Sequence, residues 1–221
     1  MRGIGLGTSA VATLLCGAMP GHAQLSQWRT KAVDERPTFG NANDSQQLAI
    51  GFAKCVVQGR HAKAAAMVLE PLGSEAQQRA LKQIIIYQDP CFNEADMQFR
   101  MSSLPMAGAM ASALLLQDHP DAVQLLAGRP AAASDPARIT AAEEFGRCVS
   151  LTNPAGVMRL LVSRPGSPAE IAAVNALAPA LGPCLARGST IKLDYGFVRN
   201  VTAVAFNRLV VEQSATAAAV R

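Results

Sequence analysis

Four cysteines are the residues in this sequence whose type and spacing most clearly indicate a chemistry. Cys91 follows Cys55 by 36 positions, and Cys184 follows Cys148 by the same number. An even number of regularly spaced cysteines is typical of disulfides in exported proteins. A zinc site is the competing interpretation, but zinc ligands usually include close Cys or His pairs, and the sequence has none. None of the four lies in a Cys-x-x-Cys redox motif.

A repeated motif surrounds these cysteines and selects one of their three pairings. Phe52-Ala-Lys-Cys55 recurs 93 residues later as Phe145-Gly-Arg-Cys148, and each later cysteine follows a proline. An ungapped alignment of 52–91 with 145–184 has ten identities in forty positions. We therefore interpret the chain as a duplication. If each copy closes its own loop, the disulfides are Cys55–Cys91 and Cys148–Cys184, each worth about 4 kcal/mol in the chain-entropy model.

The composition predicts an all-α fold. Half of the residues are hydrophobic but only 5% are aromatic, so the core must come mainly from small aliphatic side chains, which suit close-packed helices. Each copy is predicted to form three to four helices, with one disulfide tying the first helix to the end of the third. The first-helix faces are Leu48, Phe52, Cys55 and Val56 in one copy and Ala141, Phe145, Cys148 and Val149 in the other.

Helix boundaries are predicted from capping residues. Thr140 with Glu143, Ser74 with Gln77 and Ser167 with Glu170 form capping boxes, and Asn153-Pro154 combines a cap with a proline at the first helical position. The proline before the second cysteine of each pair is expected to stop the third helix. A fourth helix buries Met106, Met110, Ala113 and Leu114 in one copy and Phe197, Val201, Val204 and Ala205 in the other, and 191–194 is a possible short strand.

The resulting domain plan has six segments. They are a signal peptide (1–23), an irregular segment (24–43), helical module 1 (44–117), a linker (118–137), helical module 2 (138–213) and a tail (214–221).

The N-terminus has the layout of a secretory signal peptide. A positive Met1-Arg2 start precedes an uncharged stretch of apolar and small residues, and cleavage is expected after Ala23. Lipidation of Cys16 is disfavoured because Leu15, rather than a small residue, precedes it. No later stretch is apolar and long enough to span a membrane, so the mature chain is expected to be periplasmic or secreted, without a transmembrane segment.

A search for other chemistry finds little. His61 and His119 have no convergent partners in sequence, and no nucleotide, hydrolase or metalloprotease motif occurs. No catalytic, cofactor or metal residue is therefore predicted. Dispersed charges and few aromatics exclude a nucleic-acid partner.

Thioethers at 97, 101, 106 and 110 are of the type that binds Cu(I), but we interpret Met97, Met101, Met106 and Met110 as core-filling residues.

On the signal peptide and the paired F-x-[KR]-C…C modules, the chain resembles a loose group of uncharacterised, Ala-rich exported proteins of Gram-negative bacteria with a duplicated Cys-x35-Cys helical module. That resemblance implies a compartment and an architecture, and no activity. The function expected is a binding or structural module with an unidentified protein or small-molecule ligand, because duplicated helical units create extended surfaces. The alternative is an enzyme of unrecognised type acting in the cell envelope.

Overall fold

Eight helices account for nearly all of the residues described by the computed structural model, which are 42–86, 91, 103–129, 139–186 and 191–219. They contain no strand, which confirms the all-α prediction. In chain order the helices are α1 (Ala42–Leu69), α2 (Glu75–Ile86), α3 (Ser103–Asp118), α4 (Ala122–Leu126), α5 (Ala141–Thr152), α6 (Pro154–Val162), α7 (Pro168–Cys184) and α8 (Tyr195–Ala219). The signal peptide (1–23), the segment 24–41, Met97 and Met101 lie outside the described residues.

The predicted capping residues begin the helices as expected. Thr140 accepts from the Glu143 backbone N–H, and the Glu143 carboxylate accepts from the Thr140 backbone N–H, which completes a capping box at α5. Asn153 caps α6 through the Gly156 N–H at 2.8 Å, with Pro154 as the first helical residue. These side chains bond the amides that a first turn leaves without intrahelical partners.

A single hydrophobic core draws on helices from both predicted modules. At its centre is α3, in which every residue from 106 to 115 is buried. It packs against α1 on one side and α8 on another, and α5 packs against α8. Small residues permit the close approach: a Cβ added to Gly108 would lie 2.6 Å from the Cα of Asn200, and one on Gly146 would lie 2.7 Å from the Val201 carbonyl oxygen.

The first helical face was predicted with one wrong member in each module. Leu48 is 46% exposed and Ala141 is also exposed. The buried stripe of α1 instead runs through Ala49, Phe52, Ala53, Val56 and Val57. These positions keep helical spacing, so the buried face of α1 includes position 49 in place of 48.

The expected stop of the third helix at Pro183 is wrong. Helix α7 includes both Pro179 and Pro183 and ends at Cys184, the disulfide-bonded residue itself. Proline lacks one amide donor but has a helical φ, so a helix whose end is held by packing and a covalent bond can contain it. The predicted strand at 191–194 is also absent from this described segment, where Asp194 instead caps α8 by accepting from the Phe197 N–H at 2.7 Å.

Three of the predicted segments differ from the structure. The irregular segment 24–43 overlaps α1, which begins at Ala42. The linker 118–137 contains helix α4, whose Ala122 and Leu126 are buried in the core. The tail 214–221 is helical as far as Ala219, because α8 continues through an alanine-rich end that has high helix propensity. None of the helices in the described part of the chain is long and apolar enough to cross a membrane.

Candidate functional site

The four predicted cysteines form two disulfides with the expected pairing. Cys55 bonds to Cys91 and Cys148 to Cys184, with Cα–Cα separations of 5.8 and 5.5 Å. Both distances fall within the range that ordinary disulfides adopt, about 4.4–6.8 Å. The first bridge joins α1 to a residue that follows α2, and the second joins α5 to the last residue of α7, which is the pairing that the repeat predicted. None of these sulfurs is a free nucleophile or a thiolate ligand in this state.

Helix α8 carries an arginine that is buried at the end of α6. The Arg199 side chain is 1% exposed, and its Nε donates to Glu170 Oε1 at 2.7 Å. Its two terminal nitrogens donate to the carbonyls of Leu161, at 3.3 Å, and Ser163, at 2.9 Å. Cations are favourable at helix C-termini, where carbonyls lack intrahelical partners. Arg199 therefore closes α6 and neutralises a buried carboxylate at once.

A second arginine of α8 makes the corresponding contacts at the end of α1. Arg208 donates through Nε to the Val68 carbonyl at 2.8 Å and through a terminal nitrogen to the Glu70 carbonyl. Its other terminal nitrogen donates to the carboxylate of Glu143, which is also buried. Glu143 belongs to α5, so Arg208 joins the end of α1, the first helix of predicted module 1, to the first helix of predicted module 2.

The charge state of Arg208 follows from its surroundings. Burial lowers the pKa of Arg208 from its usual value to about 10, while the nearby Glu212 and Glu70 carboxylates act in the opposite direction. The side chain is therefore still protonated at neutral pH. The contact with Glu143 is accordingly an ion pair between two charged groups, removed from most solvent screening.

The two arginine sites match each other by position. Val68 and Glu70 are the residues that the 93-residue offset aligns with Leu161 and Ser163. Each of these helix ends thus receives one guanidinium on the same two carbonyls, and both guanidiniums come from α8. The last helix is therefore the element that contacts equivalent places in both predicted modules.

A neutral pair adds to this contact between α8 and the first module. Gln46 on α1 and Asn200 on α8 exchange two amide hydrogen bonds of 3.1 Å, and both residues are buried. Two side-chain amides paired in this way satisfy each other's donor and acceptor. Asn200 also lies against Gly108 of α3. The three helices α1, α3 and α8 are therefore packed together at this point.

Two other sequence candidates have defined places. His61 has a partner that sequence reasoning missed: its Nε2 lies 2.7 Å from Asp118 Oδ2, a partly exposed contact between α1 and the end of α3. Met106 and Met110 are fully buried in the core, as their interpretation as core-filling residues predicts. Within the described ranges, no group of three His, Cys, Asp or Glu side chains is arranged to hold a metal ion.

The arginine sites were not predicted, although one feature of the sequence indicates them. Arg199 and Arg208 interrupt a largely apolar helix and fall among Val198, Val201 and Leu209, on its buried side. Long charged residues at such positions must find buried partners. Glu143 and Glu170 were recognised only as capping residues, because a local motif accounts for one carboxylate oxygen and gives no information about the distant partner of the other.

What this arrangement can do chemically is bind helix ends and hold helices together. Its carboxylates and guanidiniums are buried and bonded to one another and to backbone carbonyls, so they are occupied by the fold itself. Comparison with protein-family models, with curated proteins and with solved structures finds no match for this chain.

Proposed function

We propose that the protein is exported to the periplasm or secreted, and that it acts there as a helical binding or structural module built from two copies of one unit. The observation that carries this proposal is the pair of disulfides, one in each copy. Structural disulfides persist in oxidising compartments and are rare in the cytosol. The N-terminal layout up to Ala23 supports the same compartment.

Matching local structure supports the duplication. Gly73 and Gly166, 93 residues apart, both have positive φ, at 77° and 74°. Each glycine N–H donates to the side chain four residues later, Gln77 at 2.9 Å and Glu170 at 2.6 Å. The hydroxyls of Ser74 and Ser167 then accept from the amides of these same two residues. Identical turn and cap chemistry at aligned positions is expected of two copies of one unit.

The binding or structural role is supported by how the charged groups are used. The buried ionisable residues Glu143, Glu170 and Arg199 all bond within the protein. Catalytic groups, in contrast, face a substrate cavity and depend on one another's protonation. A surface formed by the two copies is thus the favoured means of action, with a protein or small-molecule ligand as partner.

Fractionation of the native host tests the compartment. We expect the mature protein in the periplasm or medium, beginning at Gln24, with Cys55–Cys91 and Cys148–Cys184 recovered as linked peptides without reduction. A cytoplasmic protein that still begins at Met1 and has four free thiols contradicts the proposal.

Cross-linking in intact cells, followed by mass spectrometry, tests the mode of action. We expect the same partners for the wild type and for a His61→Asn/Asp118→Asn variant, which alters the one partly exposed His–Asp pair in the described residues while preserving size. If that variant folds normally and keeps its partners but loses a measurable turnover, the enzyme alternative is favoured instead.

A further inference from the structure

Helices α3 and α8 each follow a group of helices that a disulfide closes, and no disulfide fixes either of them to that group. The bridges fix α1 to Cys91 and α5 to the end of α7, but neither includes α3 or α8. If the chain is the duplication proposed above, α3 and α8 are equivalent helices, because 103 plus the 93-residue offset falls in the first turn of α8. Two equivalent helices, each untethered by a disulfide, have two possible places to pack.

The backbone carbonyls do not distinguish those places. The arginines of α8 bind the carbonyls of Val68 and Glu70 in one module and of Leu161 and Ser163 in the other. These are matched positions with the same chemistry. An exchange of α3 and α8 would again place one arginine near each helix end, so these hydrogen bonds cannot favour the native arrangement.

The carboxylates do distinguish the two places. Glu170 pairs with Arg199, whereas the aligned residues of module 1 are neutral, Gln77 and Met106, and both are fully buried. The Gln77 amide also donates to the Glu70 carbonyl, at 3.4 Å, so it supplies a donor to that helix end without a charge. A neutral group therefore occupies in module 1 the position that an ion pair occupies in module 2.

The carboxylate of Glu143 likewise has an ion-pair partner in α8, whereas the aligned residues of module 1 are uncharged. Glu143 pairs with Arg208, and the residues aligned with them are Ile50 and Leu115, of which Leu115 is fully buried and Ile50 packs against the core. An exchanged α8 would bring Arg199 to Gln77 and Arg208 to Ile50. An exchanged α3 would place apolar side chains against Glu170 and Glu143. Both ion pairs would then be lost, which leaves the buried carboxylates of Glu143 and Glu170 without a cation and is strongly unfavourable.

We propose that Glu143 and Glu170 are pairing labels, carboxylates that select α8 and reject α3 for the place against α5 and α7. The competitor that they exclude is an α3 helix, from the same chain or from a second copy. The discrimination works by leaving wrong pairs with unpaired buried charge, the usual means by which related helices are kept apart. The inference rests on the duplication, and it concerns assembly rather than compartment or ligand.

A refolding experiment on the purified full mature chain tests the proposal. The reporter is His61→Cys/Asp118→Cys, because these side chains meet at 2.7 Å when α3 lies against α1 and all described native cysteines are in disulfides. The oxidised protein is unfolded in denaturant, refolded at mildly acidic pH to suppress thiol exchange, and treated with a short bismaleimide. A cross-link within one chain reports native pairing, and a covalent dimer reports α3 taken from a second copy.

Neutralising both ion pairs is expected to let α3 compete with α8 for the place against α5 and α7. The neutral variant carries Glu143→Gln, Glu170→Gln, Arg199→Met and Arg208→Leu, which gives module 2 the neutral chemistry of module 1. We expect a native helix content, but an intrachain cross-link that falls clearly below the wild-type yield after refolding, because the charges that disfavour the exchanged arrangement are gone. A control variant removes both charges of the exposed Arg79–Glu75 pair, which lies within α2 and involves neither α5 nor α8, and should keep the full cross-link.

Two results overturn the proposal. If the neutral variant refolds with the full intrachain cross-link and a monomeric mass, the ion pairs only stabilise the fold, whatever happens to its unfolding midpoint. If the neutral variant does not fold, the two partial variants Glu170→Gln/Arg199→Met and Glu143→Gln/Arg208→Leu decide: a reduced cross-link in either one supports the proposal, and a full cross-link in both contradicts it. Neither result depends on where the cell places the protein.

Discussion

Arg60 and Asn153, which lie 93 residues apart, interrupt their helices with nearly the same backbone conformation. Arg60 has φ −145° and ψ 46° inside α1, and Asn153 has φ −144° and ψ 68° between α5 and α6. Asn153 caps the helix that follows it, whereas arginine has no side-chain acceptor. The same break is therefore made with a cap in one module and without one in the other.

This relationship predicts the effect of exchanging the cap. Asn153→Ala should lower the free energy of unfolding by about 1 kcal/mol, because the Gly156 amide loses its acceptor. At position 60, Asn should be more stable than Ala by a similar amount, since it can cap the helix that begins at His61. Urea unfolding of the three variants measures both differences. Equal stability of Arg60→Asn and Arg60→Ala would show that the two breaks are not equivalent.

The matched glycines predict a graded cost of adding a side chain. Gly73→Ala should destabilise by about 1 kcal/mol, because positive φ is unfavourable for alanine. Gly166→Ala should cost more, because its Cβ would also lie 2.6 Å from Asn43 Cγ, whereas nothing lies near Gly73. Thermal unfolding gives the order.

A helical glycine supplies the control for that series. Gly51 lies on the exposed side of α1 with open space around it, so Gly51→Ala should stabilise by about 0.5–1 kcal/mol. Equal losses at Gly73 and Gly166 would indicate that the Asn43 side chain moves aside without cost.

Each disulfide should contribute a similar stability. Cys55→Ala/Cys91→Ala and Cys148→Ala/Cys184→Ala both remove a bridge with a sequence separation of 36, so each should cost about 4 kcal/mol in the chain-entropy model. Denaturant unfolding of the oxidised proteins measures the loss. A loss confined to one bridge would argue that the other closes a loop already restricted in the unfolded chain.

The Arg208–Glu143 pair should depend on both partners. Arg208→Met leaves a buried carboxylate unpaired and should cost about 3–5 kcal/mol, while Arg208→Met/Glu143→Gln should cost less than the sum of the single changes. Arg79→Met, which breaks an exposed pair, should change stability by less than about 1 kcal/mol. Additive losses at Arg208 and Glu143 would contradict a buried ion pair.

The pKa of Arg208 decides at which pH the Arg208–Glu143 mutational cycle should be measured. The pKa of Arg208 in the folded protein, about 10, is lower than the usual value of an arginine, so above pH 10 the unfolded chain holds the proton more tightly. Stability due to this group therefore rises with pH across that window. At pH 7 both states are protonated, so the mutational cycle is free of Arg208 titration.

Ser150 should be replaceable with a gain in stability. Its hydroxyl is buried and has no hydrogen-bond partner, which is true of no other buried side-chain nitrogen or oxygen in the described residues. The aligned residue of module 1 is Val57, an apolar side chain that is likewise buried. Ser150→Ala should stabilise by about 1 kcal/mol because it removes an unsatisfied polar group. A destabilised variant, measured in urea, would indicate that the hydroxyl has a bonded partner such as an internal water.

Local interactions made much of the fold predictable from sequence. The caps at Thr140, Asn153 and Ser167 are formed between residues at most four positions apart, so a short stretch of sequence contains both partners. The disulfide pairing was also predictable, because a duplicated spacing reduces three connectivities to one. Even here the local rule failed at Pro183, where packing and a disulfide hold a helix that proline alone would end.

Only the tertiary structure decided which helices meet and which charges pair. Arg208 reaches carbonyls 138 and 140 residues earlier in the chain, and Gln46 pairs with Asn200 across 154 positions. No periodicity or capping motif encodes a partner at such a distance, because it depends on how helices cross. The sequence by itself determined the all-helical class and the two disulfides, since these depend on local or regularly spaced residues. The tertiary structure decided how the helices share one core, since α3 and α8 cross where Gly108 meets Asn200. Close packing of small residues at this crossing places the arginines of α8 at the ends of α1 and α6.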